Sequence, residues 1–413
     1  MSNQVPEGWQ ERTIGDIATV FAGGTPSRSN PDYYSGSIPW VKSGEVNSKK
    51  IYGTSEHISE LAVKESSAKW AEKGSVLVAM YGATAGKVAK LMIDATLNQA
   101  VSAISGKYGI AENDYLLQAI ESGSEVLLNA VQGSGQPNLS GQLIKGFSVL
   151  VPPLPEQQKI AKILTSVDEV IEKTQAQIDK LKDLKTGMMQ ELLTQGVGVD
   201  GKPHTEFKDS PVGRIPKTWK VVSLSSVAER IGDGIHATPK YVDKSDYPFI
   251  NGNNLKDGKI FVGSNTRFVS LEEYEKHRTE LSDSTILMSI NGTIGNLAYY
   301  LNEPVVLGKS AAYISLAEGV SKSFIYYVLG SDYVREFYEL ELTGTTIRNL
   351  SLKAIRATPI ALPPAVEQDD IARVLSALDE NIKLLSSQLS QKMSLKKALM
   401  QDLLTGKVRV AID

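Results

Sequence analysis

Two stretches of the chain carry mostly apolar residues at positions that alternate in steps of four and three. In the first these are Ile160, Leu164, Val167, Ile171, Thr174, Ile178, Leu181, Lys185, Met188 and Leu192. In the second they are Ile371, Leu375, Leu378, Ile382, Leu385, Leu389, Lys392, Lys396, Leu399 and Leu403. This is a heptad seam, and it predicts two long helices. Pro152-Pro153 and Pro363-Pro364 stand where helix starts tolerate proline, and Glu156 and Glu367 put negative charge into the first turn. Each helix runs for about 40 residues, or about 60 Å at 1.5 Å per residue. Elsewhere the pattern is one of short elements. Ser75–Met80 and Ser284–Ser289 read as buried strands, each followed by a Gly/Thr turn (residues 81–86 and 290–295). The segments 145–151 and 357–362 read as the last strands before the long helices. Residues 196–216 are rich in Gly, Pro and polar residues and read as a linker.

The second seam is the first repeated 211 positions later. The same offset relates Pro152-Pro153-Leu154-Pro155-Glu156-Gln157 to Pro363-Pro364-Ala365-Val366-Glu367-Gln368, Asp168-Glu169 to Asp379-Glu380, and the helix ends Leu192-Leu193-Thr194 to Leu403-Leu404-Thr405. Upstream, Pro6-Glu7-Gly8-Trp9 faces Pro216-Lys217-Thr218-Trp219, and Asn138-Leu139-Ser140 faces Asn349-Leu350-Ser351. The residues between these anchors differ freely. The chain therefore reads as a direct repeat: a globule (1–151), a long helix (152–195), a linker (196–216), a second globule (217–362), a second long helix (363–405) and a tail (406–413). A helix with one apolar stripe must bury it. Pairing within the chain makes the rods antiparallel, places the globules at opposite ends and relates the halves by a pseudo-twofold axis; pairing between chains is the alternative. The fold class is mixed α+β. Off the seam, Ile163, Val170, Leu184, Leu193, Leu384, Leu395 and Leu404 leave apolar surface for a partner or for the base of a globule.

Composition narrows the function. The 413 residues hold 44 Lys+Arg against 47 Asp+Glu, a net charge of −3, and no cysteine. This excludes disulfides, thiolate-bound metals and a cysteine nucleophile. No run is long and apolar enough for a membrane span, and the polar start MSNQVPEGW does not read as a signal peptide, so a cytoplasmic location is expected. Gly82–Val88 is not a P-loop, because the spacing between glycines is short and no Ser/Thr follows Lys87. His57, His204, His236 and His277 show no metal-ligand spacing, and neither a Gly-x-Ser-x-Gly elbow nor an adenine methyltransferase motif is present. No catalytic residue and no metal site is assigned.

Two divergent globules, each followed by a Pro-Pro…Glu-Gln helix in direct repeat, resemble the specificity subunit of type I restriction–modification enzymes. The resemblance covers nearly the whole chain and rests on the Pro-Pro…Glu-Gln segments, the Leu-Leu-Thr helix ends and the Asn-Leu-Ser turns. It implies that each globule is a target recognition domain reading one half of a split site in double-stranded DNA. It implies that the helices set the gap and dock two modification subunits, with restriction subunits as further partners. S-adenosylmethionine, ATP and Mg would then belong to those partners, and this chain would bind no cofactor of its own. A structural coiled-coil adaptor with two protein-binding globules would have the same helices; a free-standing restriction enzyme would need a catalytic motif.

Charge does not mark the DNA-binding residues. Residues 1–154 carry 12 basic and 14 acidic groups (12 − 14 = −2), and residues 195–365 carry 19 of each. Loops of amides, hydroxyls and isolated cations are the candidates instead, since Asn and Gln grip adenine and Arg and Lys grip guanine. In the first half these are Lys42, Ser43 and Asn47, then Tyr81, Thr84 and Lys87, then Ser134, Gln136 and Asn138. In the second they are Asn251, Asn253, Asn254 and Lys256, then Asn291 and Thr293, then Thr345, Thr346, Arg348 and Asn349. Each position is equally open to being an ordinary turn residue. Residues 23–28 and 233–240 are ambiguous loops.

Overall fold

The computed structural model describes residues 5–131, 138–198, 202–342 and 348–412. Its contacts divide into two compact units, Met1–Ala176 with Ser387–Asp413, and Gln177–Ser386. Each unit therefore holds one globule, the first half of one long helix and the last half of the other.

The first unit is built on a five-stranded sheet in the order Ala18–Ala22, Val101–Gly106, Val76–Ala79, Val88–Leu91, Lys50–Ile51. The first four strands are antiparallel and the last is parallel. In the second unit Ala228–Asp233, Ala311–Leu316, Thr285–Ser289 and Leu297–Tyr299 repeat the first four in the same order. A smaller sheet repeats as well: Ile38–Val41 runs parallel to Ala95–Leu97, and Tyr247–Ile250 runs parallel to Val306–Leu307. The two central strands of each main sheet are buried along their length, which explains their continuous rather than alternating apolar character. The globules close in the same way. Gln10–Thr13 pairs antiparallel with Ser148–Val151, and Lys220–Ser223 with Pro359–Leu362, so the chain enters and leaves each globule on neighbouring strands and runs straight into a long helix.

The long helices span Leu154–Gln195 and Ala365–Leu403. Every position of both heptad seams is buried or half-buried. Ile160, Leu164, Ile178, Ile371 and Leu375 are the most enclosed, while Val167, Ile171, Leu181, Leu378, Ile382, Leu385 and Leu389 are half-buried. In the first unit Asp168 pairs with Lys396 (2.7 Å) and Thr174 accepts from Lys392 (2.9 Å), so the two helical segments run antiparallel. Of the off-seam apolar residues, Leu193 and Leu404 are buried in globule cores and Ile163 packs against one. Val170, Leu184, Leu384 and Leu395 are exposed.

Each globule core also takes in helix ends from both repeats. Ile160, Ala161 and Leu164 join Met400, Leu403 and Leu404 in the first core, and Ile371, Ala372 and Leu375 join Leu192 and Leu193 in the second. The repeated Glu-Gln pair fastens these junctions. Glu156 is buried and accepts the indole N–H of Trp9 (3.1 Å) and the Nε–H of Arg409 (2.9 Å). Glu367 is equally buried and accepts from Trp219 (2.9 Å) and from the backbone of Val197 and Gly198 (3.1 Å each), with His204 Nε2 at 2.8 Å. Gln157 donates to the carbonyls of Pro152 and Ile110, and Gln368 to that of Pro363. The repeated tryptophan and the repeated Glu-Gln are thus two sides of one joint. The first-turn charge read from the sequence is only part of what these glutamates do.

Two features go beyond the sequence pattern. The linker over 196–216 contains a β-hairpin, Phe207–Ser210 with Gly213–Pro216. Its reversal uses Gly213 at φ +96°, and Val212 and Ile215 anchor it in the second core. The separate spacer-helix domains are, by contacts, halves of the two units.

Equivalent positions in the repeat differ in burial, and burial sets their worth. Lys396 is 9% exposed and bonds Asp168 and Glu121 (2.8 Å), with Gln118 donating to Asp168 as well. Burial alone would push the Lys396 ammonium down, but the two carboxylates outweigh it and hold it above the ordinary lysine value. Its counterpart Lys185 pairs with Asp379 (2.6 Å) at 25% exposure. Breaking a buried pair costs several kcal/mol, breaking an exposed one little. Lys396→Ala is therefore expected to cost about 2–4 kcal/mol and Lys185→Ala about 1 or less. Denaturant melts of the two variants check this; equal costs would contradict the burial argument.

Candidate nucleic-acid interface

In both units the chain after the Pro-aromatic strand makes a short 3-10 turn, Ser43–Asn47 or Gly252–Asn254. The turns are closed in the same way. The Lys42 N–H donates to Glu45 Oε2 (2.7 Å), and the Asn251 N–H donates to Asn254 Oδ1 (2.9 Å). Next to each lies the Gly/Thr turn between the central strand and its neighbour, with Gly86 at φ +79° and Gly295 at φ +85°, where only glycine sits without strain. A third segment is buttoned to the central strand by one backbone bond. Leu139 N–H donates to Met80 C=O, and Leu350 N–H donates to Ile290 C=O, each at 2.9 Å. Leu139 and Leu350 are fully buried, so the Asn before each is held at the surface. The Ser after each caps a short helix, Ser140 through Leu143 N–H and Ser351 through Ala354 N–H (3.1 Å each).

The structure thus brings together side chains from three separated segments in each unit. In the first unit Lys87 donates to Asn47 Oδ1, joining two of the loops, and Asn138 is exposed beside the end of the central strand. Lys42 pairs with Glu56 (2.5 Å), which also takes Arg28 (2.7 Å); these hydrogen bonds, from Lys42 first, hold the Glu56 carboxyl below the ordinary range. Lys42 and Arg28 thus share one carboxylate, and Glu45 caps the turn beside them, so the cluster is close to neutral. Ser43, Tyr81 and Thr84 are half-buried.

In the second unit Asn291 and Asn349 form an isolated β-bridge. Asn253, Lys256, Thr293 and Arg348 are exposed, and Arg348 reaches Glu339 (2.9 Å). Asn251 is half-buried and accepts from Ser310 (2.9 Å). Asn254 corrects the expectation of a DNA contact. It is buried, and its amide donates to Phe261 C=O and Thr266 Oγ1 (3.0 Å each) while its oxygen caps the turn. It holds the loop and has no donor left for a base. Ser134, Gln136, Thr345 and Thr346 lie outside the described residues.

Sequence reading left residues 23–28 ambiguous. The structure places the Arg28 guanidinium over Tyr34 (4.2 Å) and Trp40 (5.4 Å), so its direction is fixed by aromatic rings. The signal was there in the Pro-Trp strand and the Tyr33-Tyr34 pair, but only folding joins them. Chemically, each unit presents amides, hydroxyls and a few cations on loops braced by buried anchors. That set suits hydrogen bonding to base edges and phosphates.

The sequence profile described as type I restriction modification DNA specificity domain matches twice, over residues 6–183 and 216–394. Among relatives, the type I restriction enzyme MjaVIII specificity subunit of Methanocaldococcus jannaschii is 27% identical over 419 residues, covering 98% of this chain and 94% of that protein. The EcoKI specificity subunit of Escherichia coli is 20% identical, covering 99% and 90%. The crystal structure of a type I restriction–modification S subunit from M. genitalium is similar in fold, with a TM-score of 0.60 at 16% identity, over 98% of this chain and 97% of that one.

Proposed function

Because the chain belongs to the type I restriction–modification DNA specificity family, we propose that it is the sequence-reading subunit of such a complex, each unit reading one half of a split target in double-stranded DNA. One observation carries this. The same three-segment loop platform occurs twice, braced by equivalent bonds at Leu139 and Leu350, while the side chains displayed on it differ between the units. A reader of an asymmetric split site needs that combination: one fold, two surfaces. DNA half-sites one helical turn apart lie roughly 34–36 Å from each other, and helices of about 60 Å are long enough to govern such a gap.

The chain itself carries out no bond chemistry in this reading. It works in the cytoplasm with two modification subunits, which hold S-adenosylmethionine and methylate adenine. Restriction subunits, where they join, bring ATP and Mg. The long helices, with Val170, Leu184, Leu384 and Leu395 exposed, offer apolar docking surface. Among the described residues no helix is long and apolar enough to cross a membrane.

The test is co-purification with the modification subunits, methylation of random-sequence DNA and mapping of the modified adenines. A single split motif is expected. Methylation or cleavage by the purified chain alone, or methylation without a motif, would overturn the reading; in the second case the coiled-coil adaptor takes its place.

A further inference from the structure

Each unit carries an arginine laid on an aromatic pair beside its recognition turn, and the two arginines come from different places in the repeat. In the first unit Tyr34 meets Trp40 edge-on, with ring centres 5.9 Å apart and planes at 69°. In the second Tyr241 meets Phe249 at 5.6 Å and 67°. Trp40 and Phe249 hold the same position of the Pro-aromatic strand, 209 residues apart. A guanidinium covers each tyrosine. That of Arg28 lies 4.2 Å from the centre of the Tyr34 ring, and that of Arg267 lies 4.7 Å from the centre of the Tyr241 ring.

Arg28 and Arg267 are not equivalent. Arg267 is the strand partner of Phe249. Opposite Trp40 stands Glu56, whose carbonyl accepts the Trp40 N–H (3.1 Å), so Glu56 is the counterpart of Arg267, 211 positions earlier. The first unit uses Glu56 to hold Arg28 (2.7 Å) and Lys42 (2.5 Å). The second puts the cation itself at that position. Among the described residues the Arg267 guanidinium has no ion-pair or hydrogen-bond partner, which leaves its five N–H donors unspent. The position is also tied to the recognition turn. The residue just before it braces the third residue of each turn: Ser55 Oγ donates to Glu45 (3.0 Å), and Thr266 Oγ1 accepts from the Asn254 amide (3.0 Å). Lys42, which opens the first turn, reaches Glu56 directly. Arg267 is exposed, so the Tyr241 ring takes one side of the guanidinium and leaves donors open to solvent.

We infer that Arg267 reads a guanine in the half-site of the second unit. The inference rests on the proposed DNA-reading function. A planar guanidinium meets the O6 and N7 of guanine through two N–H bonds at once, the commonest specific contact in the major groove. Holding the side chain against a ring beforehand reduces the freedom lost on contact. A phosphate contact carries no sequence information and takes a lysine as a point charge, so it gains little from a held plane. Arg28 sits on its ring in the same way but has spent one nitrogen on Glu56, so it has less to offer a base than Arg267 has.

The experiment uses the complex with modification subunits. The methylated motif is mapped for the unaltered chain, for Arg267→Lys and for Arg267→Gln. Fluorescence anisotropy at fixed salt then compares the target duplex with duplexes that carry each single base-pair change in turn. The motif is expected to hold a G·C pair in the half-site of the second unit. Arg267→Lys keeps the charge and loses the fork. It is expected to lose about 10-fold of discrimination at that one pair, with the other positions, the first half-site and the gap unchanged. Arg267→Gln, which removes the charge as well, is expected to relax the same pair. A half-site of the second unit without a G·C pair overturns the inference. So does an unchanged motif in both variants. So does Arg267→Gln weakening every duplex by one factor while Arg267→Lys binds like the unaltered chain, which would make Arg267 a phosphate contact. Preference lost equally at every position of that half would make Arg267 a structural residue and overturns the inference as well. If the unaltered complex shows no motif at all, the DNA-reading function itself has failed, and that result is separate from those of the variants.

Discussion

Glu367→Ala is expected to lower the stability of the second unit by about 3–5 kcal/mol. The carboxylate is buried and receives the indole N–H of Trp219, the backbone N–H groups of Val197 and Gly198, and His204. Truncation leaves a buried Trp219 donor and two backbone donors unpaired, and an unmet buried donor costs its full desolvation. It also frees the segment after the first long helix from the start of the second. Glu156→Ala is expected to cost less, because its second partner is Arg409, a half-exposed guanidinium that can return to water. Urea denaturation followed by tryptophan fluorescence checks both. A cost below about 1 kcal/mol for Glu367→Ala would mean that the joint is held by the surrounding apolar contacts, with the carboxylate incidental.

The isolated chain is expected to bind its target duplex at least about 10³-fold more weakly than the complex with modification subunits does. Phosphate neutralisation supplies most non-specific affinity and much of the specific kind. The globular segments carry net charges of −2 and 0, and many of their cations are already matched: Lys49, Lys50 and Lys90 by carboxylates in the first unit, Arg348 by Glu339 in the second. The loops can hold base edges, but base contacts alone do not supply nanomolar binding. Non-specific complexes sit near 10⁻⁴–10⁻⁶ M, specific ones near 10⁻⁸–10⁻¹¹ M. Fluorescence anisotropy on one labelled duplex, with and without the partners at fixed salt, makes the comparison. Equal affinities would place the phosphate contacts on this chain.

The helices were legible because heptad spacing is a local signal carried by Ile160, Ile371 and their successors. The repeat was legible because Trp9 and Trp219, or Leu139 and Leu350, recur at nearly constant offsets. The work done at those positions was not legible. Trp9 lies 147 residues from Glu156, and Trp219 lies 148 from Glu367, so sequence reading assigned the glutamates to the helix dipole alone. The hairpin at 207–216 escaped notice because its strands are four residues long and mostly polar, with Val212 and Ile215 as its buried anchors. The recognition loops were found as segments, since Asn, Gly and Thr mark turns. Which of their side chains face outward is a tertiary fact: Asn253 and Asn254 are neighbours, yet one is exposed and the other is spent inside the turn.

The most direct test of two independent readers on one chain is an exchange. Residues 1–151 are replaced by the corresponding segment of a relative with a different target, the chain is assembled with its modification subunits, and the methylated adenines are mapped. The account predicts that one half of the split motif changes while the other half and the gap between them stay the same. A motif changed in both halves, or in neither, would contradict it.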